Sequence, residues 1–395
     1  MKILMTSIYF PCVNKEYEIL TDRLFGSKSC GGAESFVYSF IKEFSDHDIE
    51  IELFAFNPNC KGITVKHGNI KIHYFNRIFK VPFLHGKYIP LDISVYQTMF
   101  NNDLIHCQGS FYHPLTALVC LLKIFHRKPV IISHHATQTN LSGIYRLRDI
   151  LGLKLLRFAD RIVIPSENSK SLYEDYTNKI EVIPLGTVIP NYKYKNKNEL
   201  RRLWGFPEDR PIILFVGHLA HYKGVFKLIE AFKEVKSKLS EAMLIISGDG
   251  PDKENLIMMA DRLGLKDSVV FLGRTIHSKI FELYSLSDLL VFLSIKDKKY
   301  LPEGESFGMV IIEAMFCGLP VVSTKVGAPR YIVEPSFGVQ VNPIDINEIA
   351  NAILITINNK TLVNDMGKNA IKIANKKYKI SRVVDDYINL YKNLA

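Results

Sequence analysis

Two glutamates, Glu305 and Glu313, stand eight residues apart in "EGESFGMVIIEAMFCGLPVV", among mostly apolar neighbours. The stretch from Phe307 to Gly318 predicts one helix, with Ser306 as its N-cap, Gly318 just past its last turn and Pro320 as a stop. At ~100° per residue its apolar side chains cover the whole circumference, which leaves Glu313 no wet face. A buried carboxylate is costly unless it is hydrogen-bonded or paired. Glu313 therefore needs a partner, either a pair of ligand hydroxyls or an internal lysine or arginine. Glu305 precedes the N-cap, at the mouth of the helix. The free amides of Phe307, Gly308 and Met309 would form an anion site there, and Gly308 would let a ligand approach the backbone. The segment thus offers an acceptor at the mouth, amides for a phosphate, and a carboxylate about two turns inside.

Other residues have types and places suited to a phosphorylated ligand. Lys223, in "FVGHLAHYKGVFKLIEAF", follows a strand pattern and precedes a helix pattern, where a cation can reach a phosphate; the plain alternative is a surface lysine. Gly31 and Gly32, in "GGAES", precede a helix start and would allow close backbone approach to an anion, although glycine pairs are common in loops. His134 and His135, in "PVIISHHATQ", lie just past a strand, at the carboxyl edge where doubly wound sheets bind ligands. His106 in "DLIHCQG" is placed similarly, with a packing role as the alternative. The six cysteines are irregularly spaced, without a CxxC or a Cys/His cluster. Neither a disulfide framework nor a zinc site is indicated, which favours a reducing compartment. No DxD-like pair stands at a plausible site, so a metal is not required.

The elements that must position these residues alternate. Strand runs "KILMTSI", "IEIELFAF", "IKIHYF", "DLIHC", "PVIIS", "RIVIPS" and "IEVIP" are interleaved with helical patterns such as Ala33–Phe44 and Pro114–Phe125. This βαβ rhythm implies a mainly parallel sheet with helices on both faces. A polar, lysine-rich stretch near residues 187–197 reads as a hinge, and the rhythm then restarts with "PIILFVG", "AMLIISG", "SVVFLG", "DLLVFLS" and "LPVVST". The expected fold class is α/β, with two Rossmann-like doubly wound domains, 1–188 and 196–375, and a C-terminal helix at 376–395 packing back toward the first. The ligand cleft is expected between them. Net charge is +10, and residues 51–158 hold 13 Lys/Arg against four acids. Residues 71–100 mix that charge with aromatic side chains, which suits an anionic membrane surface or a lipid-phosphate acceptor. The N-terminus reads as a first strand rather than a leader peptide, and no segment is long and apolar enough to span a bilayer.

With these motifs in place, a resemblance becomes specific. "EGESFGMVIIEAMFCGLPVVSTKVGAPRYIVE" resembles the E-x7-E region of retaining GT-B glycosyltransferases of family 4. That resemblance implies that Glu305 faces the donor sugar and Glu313 binds the nucleotide ribose. It also implies that the segment of Ser306, Phe307, Gly308 and Met309 meets the sugar and diphosphate. "FVGHLAHYKGVFKLIEAF" is similar to the family's glycine–arginine…lysine–glycine motif for the diphosphate; Lys223 matches the lysine and His218 replaces the arginine. Gly31 and Gly32 match a glycine pair that packs on the donor phosphate from the opposite domain. His135 matches a histidine beside the donor sugar, while His134, His106 and Ser166 (in "ADRIVIPSENSKSL") fall to the acceptor side, and Arg274 lies near the base.

The implied enzyme is a hexosyltransferase using a nucleoside-diphosphate sugar, of UDP or GDP type, with no cofactor and no metal. His135, Glu305 and Lys223 would be its catalytic residues. The implied chemistry retains configuration by a front-face route, in which the leaving phosphate takes the acceptor proton. The acceptor is a glycan or a lipid-linked molecule, and the expected location is cytoplasmic, peripheral at the inner face of the membrane. Two rival classes are a sugar-nucleotide epimerase or phosphorylase on the same fold, and a nucleic-acid binder. No RNA-binding signature supports the second, so nucleic acid is not an expected partner.

Overall fold

The computed structural model describes residues 1–7, 10, 12–13, 19–21, 32–55, 60–75, 78–80, 88–90, 93–109, 113–135, 150–188, 196–297 and 304–395. The chain divides into two compact units, Met1–Gly186 with Ile380–Ala395, and Thr187–Lys379.

In the first unit eight strands make one sheet: β1 (Lys2–Ser7), β2 (Glu50–Ala55), β3 (Thr64–His67), β4 (Ile70–Tyr74), β5 (Leu104–Gly109), β6 (Val130–His134), β7 (Arg161–Ile164) and β8 (Ile180–Val182). Their order is β8-β7-β6-β5-β1-β2-β4-β3. Every pairing is parallel except β3 with β4. Runs such as Ile3–Met5, Val130–Ile132 and Ile162–Ile164 are wholly buried, as strands covered on both faces must be. β3 escaped the sequence reading because it is a short edge strand with only Val65 buried. Helices α1 (Gly32–Glu43), α2 (Ile93–Asn101) and α3 (Pro114–His126) connect the strands. Val95 and Met99 of α2 and Leu115 and Val119 of α3 share one core with Ile105 and Ile132 of the sheet.

The second unit has six strands: β9 (Ile212–Val216), β10 (Met243–Ser247), β11 (Val269–Gly273), β12 (Leu289–Phe292), β13 (Val321–Thr324) and β14 (Gly338–Val341). Their order is β11-β10-β9-β12-β13-β14, all parallel. The chain winds outward from β9 through β10 and β11, then returns to β12 on the other side. The switch point of this sheet therefore lies between β9 and β12, where open α/β sheets bind ligands at the carboxyl ends of their strands. Its helices include α4 (Val225–Lys238), α5 (His277–Leu286), α6 (Met309–Phe316) and α7 (Lys360–Lys377).

The last helix, α8 (Ile380–Lys392), belongs to the first unit. Its buried stripe of Ile380, Val383, Val384, Tyr387 and Tyr391 recurs at helical spacing. Gly186 lets it come close, since a Cβ there would lie 3.0 Å from the Ile380 Cα.

Cys60 is disulfide-bonded, contrary to the expectation of reduced thiols. Cys107, Cys120 and Cys317 are free. Cysteine spacing carries no record of which thiols the fold brings together. Among the described residues no helix is long and apolar enough to cross a membrane.

Candidate functional site

The β9 and β12 ends supply the two halves of a charged site. Past β9 the chain makes a short turn, His221–Lys223, before α4, and past β12 it runs through Ser294 and Ile295. The Ile295 amide donates to the Tyr222 carbonyl at 2.9 Å, which ties the two loops together. Lys223 Nζ donates to the Glu305 carboxylate, and Ser294 Oγ donates to the same oxygen, Glu305 Oε2, at 3.1 Å. These side chains are only 19% and 15% exposed for Lys223 and Glu305, so solvent screens the pair far less than a surface one. The Lys223 ammonium also lies 5.9 Å from the Phe292 ring centre.

The backbone of Glu305 is clasped from the other side. The Ala328 amide donates to the Glu305 carbonyl at 2.8 Å. Gly327 has φ of +73°, and a Cβ there would stand 2.5 Å from the Glu305 amide nitrogen. Only glycine fits that conformation and that approach without displacing Glu305.

The helix after Glu305 is shorter than the sequence predicted. It starts at Met309, and its N-cap is Gly308 rather than Ser306. Gly308 holds φ of +94°, a left-handed turn that Ser306 and Phe307 cannot supply, and so the helix cannot begin earlier. The first turn accordingly begins at Met309, with the Ile311 amide donating to the Gly308 carbonyl at 2.9 Å and Phe307 buried against Tyr378 at 6.1 Å between ring centres. The C-terminus closes with the Gly318 amide on the Met315 carbonyl and the Leu319 amide on the Ala314 carbonyl, both at 3.0 Å.

Glu313, 7% exposed, is the fifth residue of α6, just over one turn inside. The buried carboxylate has its partners in the protein, and they are neither lysine nor arginine. Tyr284 Oη donates to Oε2 at 2.8 Å, and His277 Nε2 lies 3.2 Å from Oε1. Both partners come from α5, seven residues apart and on one helix face. Tyr284 is fully buried, whereas the His277 side chain is 55% exposed. The hydrogen bond to Glu313 raises the His277 pKa. Burial, with Glu313 beside it, lifts the Tyr284 hydroxyl well above its ordinary range, which keeps it a donor. Tyr284, His277 and Ser294 were not read from the sequence. The one signal available was the seven-residue spacing of His277 and Tyr284 in "HSKIFELYSL".

His218 and Arg274 are exposed, at the ends of β9 and β11, and Met309 is half-buried. Among the described residues no group of His, Cys, Asp and Glu is arranged to hold a metal ion.

In the first unit, Gly32 opens α1 and Gly31 lies outside the described residues. Ser166 is buried at the start of a 3-10 stretch, Glu167–Lys179. His106 and His134, expected on the acceptor side, lie in the packed interior instead. They are 0% and 1% exposed and are bonded within the fold. His106 lies 2.6 Å from Tyr391 Oη and 2.7 Å from Ser133 Oγ, and His134 hydrogen-bonds to Tyr173. Inward-facing positions of a parallel sheet are dry whatever residue occupies them. His135, one residue beyond β6, is half-buried, with Nε2 2.7 Å from Gln108 Oε1 and the Phe36 ring 5.4 Å away.

The chain resembles known proteins over both units. Residues 30–188 match the family described as Glycosyltransferase Family 4, and residues 196–373 match Glycosyl transferases group 1. N-acetyl-alpha-D-glucosaminyl L-malate synthase of Bacillus anthracis is 23% identical over 339 residues, 80% of this chain and 83% of that protein. Alpha-D-kanosaminyltransferase of Streptomyces kanamyceticus is 32% identical over 198 residues, 50% of this chain and 49% of that protein. Among solved structures, Anabaena Alr3699/HepE in complex with UDP and glucose superposes with a TM-score of 0.73 at 23% identity, covering 100% of both chains.

Proposed function

The chain is a glycosyltransferase of the GT-B type, and from that premise we propose that it transfers a sugar from a nucleoside-diphosphate sugar, with retention and without a metal. The observation that carries this reading is the Lys223–Glu305 pair at the switch point, with buried Glu313 eight residues on.

A donor diphosphate would draw Lys223 from Glu305 and leave that carboxylate with Ser294 Oγ and a free lone-pair set. Carboxylate oxygens accept only, so Glu305 would then take hydrogen bonds from sugar hydroxyls. Glu313 would accept from the ribose at Oε1, with Tyr284 retaining Oε2. As the glycosidic bond breaks, negative charge grows on the diphosphate, and Lys223 with the first-turn amides of α6 would stabilise it. Glu305 is already committed as an acceptor of fixed donors, which suits sugar binding better than nucleophilic attack. The leaving phosphate would then take the acceptor proton on the same face.

Release of free nucleoside diphosphate strictly dependent on an acceptor is the expected result for transfer. Release without acceptor, or interconversion of the sugar alone, would point to an epimerase. A fluorinated donor is expected to leave no stable adduct on the chain, and a trapped glycosyl-enzyme would overturn the front-face route. A thermal-shift panel of UDP- and GDP-sugars identifies the base, since a ligand stabilises the state it binds.

The acceptor is read as a glycan or lipid-linked molecule handled at an anionic membrane surface. The support is on α3, where Leu121, Ile124 and Phe125 are 50%, 68% and 70% exposed, followed by exposed Arg127. An apolar strip next to cationic side chains suits a bilayer interface. Flotation with anionic vesicles at low salt is expected, and its absence would refute the membrane reading.

A further inference from the structure

His106 and Gln108 lie two residues apart on β5, so their side chains share one face of the strand. His106 Nδ1 is 2.6 Å from Tyr391 Oη and 3.5 Å from Gln108 Nε2, and its Nε2 is 2.7 Å from Ser133 Oγ. Burial pushes the His106 pKa to about 3, so the ring carries one proton. An amide nitrogen only donates, so Nδ1 of His106 accepts and the proton sits on Nε2, toward Ser133. Ser133 Oγ is in turn 3.0 Å from Tyr387 Oη.

With its nitrogen turned to His106, Gln108 presents its oxygen to His135, at 2.7 Å from Nε2. An amide oxygen only accepts, so Nε2 of His135 holds the proton. Burial pushes the His135 pKa to about 4, so Nδ1 has none. That nitrogen is buried and, among the described residues, without a hydrogen-bond partner. Turning the amide over would move the His135 proton to Nδ1 and leave a buried N–H unpaired, which folded proteins tolerate less than an unpaired acceptor.

We propose that Gln108 is a positioning residue: anchored by His106 and the α8 tyrosines, it fixes His135 as the Nε2–H tautomer and keeps Nδ1 as a bare acceptor for a substrate hydroxyl. This rests on the reading that His135 touches substrate. A nitrogen held this way discriminates, since it receives a hydroxyl and rejects any group that only accepts. The titratable groups near His135 among the described residues are His134 beside it, His106 on β5 and, behind that, Tyr387 and Tyr391 on α8, and the Phe36 ring of α1 lies against it. Among the described residues no carboxylate, lysine or arginine contributes to the His135 titration.

Nitrogen-15 imidazole spectra of the full chain test the tautomer directly, with His135→Asn assigning the signals. Between pH 6 and 8 the wild type is expected to show Nε2 protonated and Nδ1 bare; protonated Nδ1 overturns the proposal. Gln108→Glu keeps an accepting oxygen but adds a negative charge, which raises the ring pKa. An imidazolium has no bare acceptor, so kcat/KM of this variant should gain a loss on the acid side that the wild type lacks. Gln108→Leu should lower kcat/KM roughly tenfold at every pH and mix the two tautomers. Equal pH profiles for the two variants, differing only in scale, would refute a positioning role. Full activity in His135→Asn would refute the substrate contact instead, and the spectra would still decide the relay.

Discussion

Polar side chains are buried in both units, but on different terms. In the first, His106, Ser133, Tyr387 and Tyr391 are all but inaccessible and bonded to one another, and the histidine is held neutral. In the second, Lys223 and Glu305 keep some exposure, and Glu313 shares one oxygen with a buried tyrosine and the other with a half-exposed histidine. The closed set has no atom to give to a ligand, so it belongs to the fold. The open set has partners that a ligand can displace, so it belongs to the site. Gln108 joins the two kinds, since it leans on the closed network and leaves one atom of His135 unspent.

That contrast breaks most readily at Glu305. Glu305→Gln should lower kcat at least ~100-fold while the melting temperature changes little. If it unfolds the protein with activity per folded molecule intact, the charged set is structural as well. Gly327→Ala should follow, with about a 10- to 100-fold loss of kcat, because its Cβ would press on the Glu305 backbone 2.5 Å away. Steady-state kinetics on both variants would check the order. Tyr284→Phe removes a buried donor from Glu313 and should cost about 1–3 kcal/mol of stability, with weaker nucleotide binding by calorimetry. Tyr387→Phe removes one bond of the closed set and should cost roughly 1 kcal/mol in denaturant unfolding, with activity per folded molecule unchanged.

The smallest effect concerns pH. His277 has a raised pKa in the folded state through Glu313, so its stabilisation is fully present below the ordinary histidine range and is lost as pH rises through the raised value. The melting temperature should therefore fall slightly more between about pH 6 and 8 in the wild type than in His277→Ala. Identical slopes would mean that Tyr284 alone holds Glu313.

Much of the frame was legible from residue patterns. Wholly apolar runs such as "IILFV" and "MLIIS" announce parallel strands, because a strand covered on both faces has no polar side to show. The edge strand Thr64–His67 carries little such signal, because half of it meets water. The helix start at Gly308 was missed for a different reason: a left-handed glycine overrode a serine with better capping chemistry. Cys60 and its disulfide lay beyond any spacing rule.

What the sequence determined by itself is the alternation that builds two doubly wound units, and the requirement that Glu313, inside an apolar helix, be given a partner. Both follow from periodicity, which is local and is written along the chain. Only the tertiary structure decided that the partner is Tyr284 with His277, that Glu305 rests on Lys223, and that His106 turns inward while His135 keeps a nitrogen free. Those choices join residues 29, 36 and 82 positions apart on the second unit, and 285 apart between His106 and Tyr391. Strand order and helix packing set such pairings, and no local period encodes them.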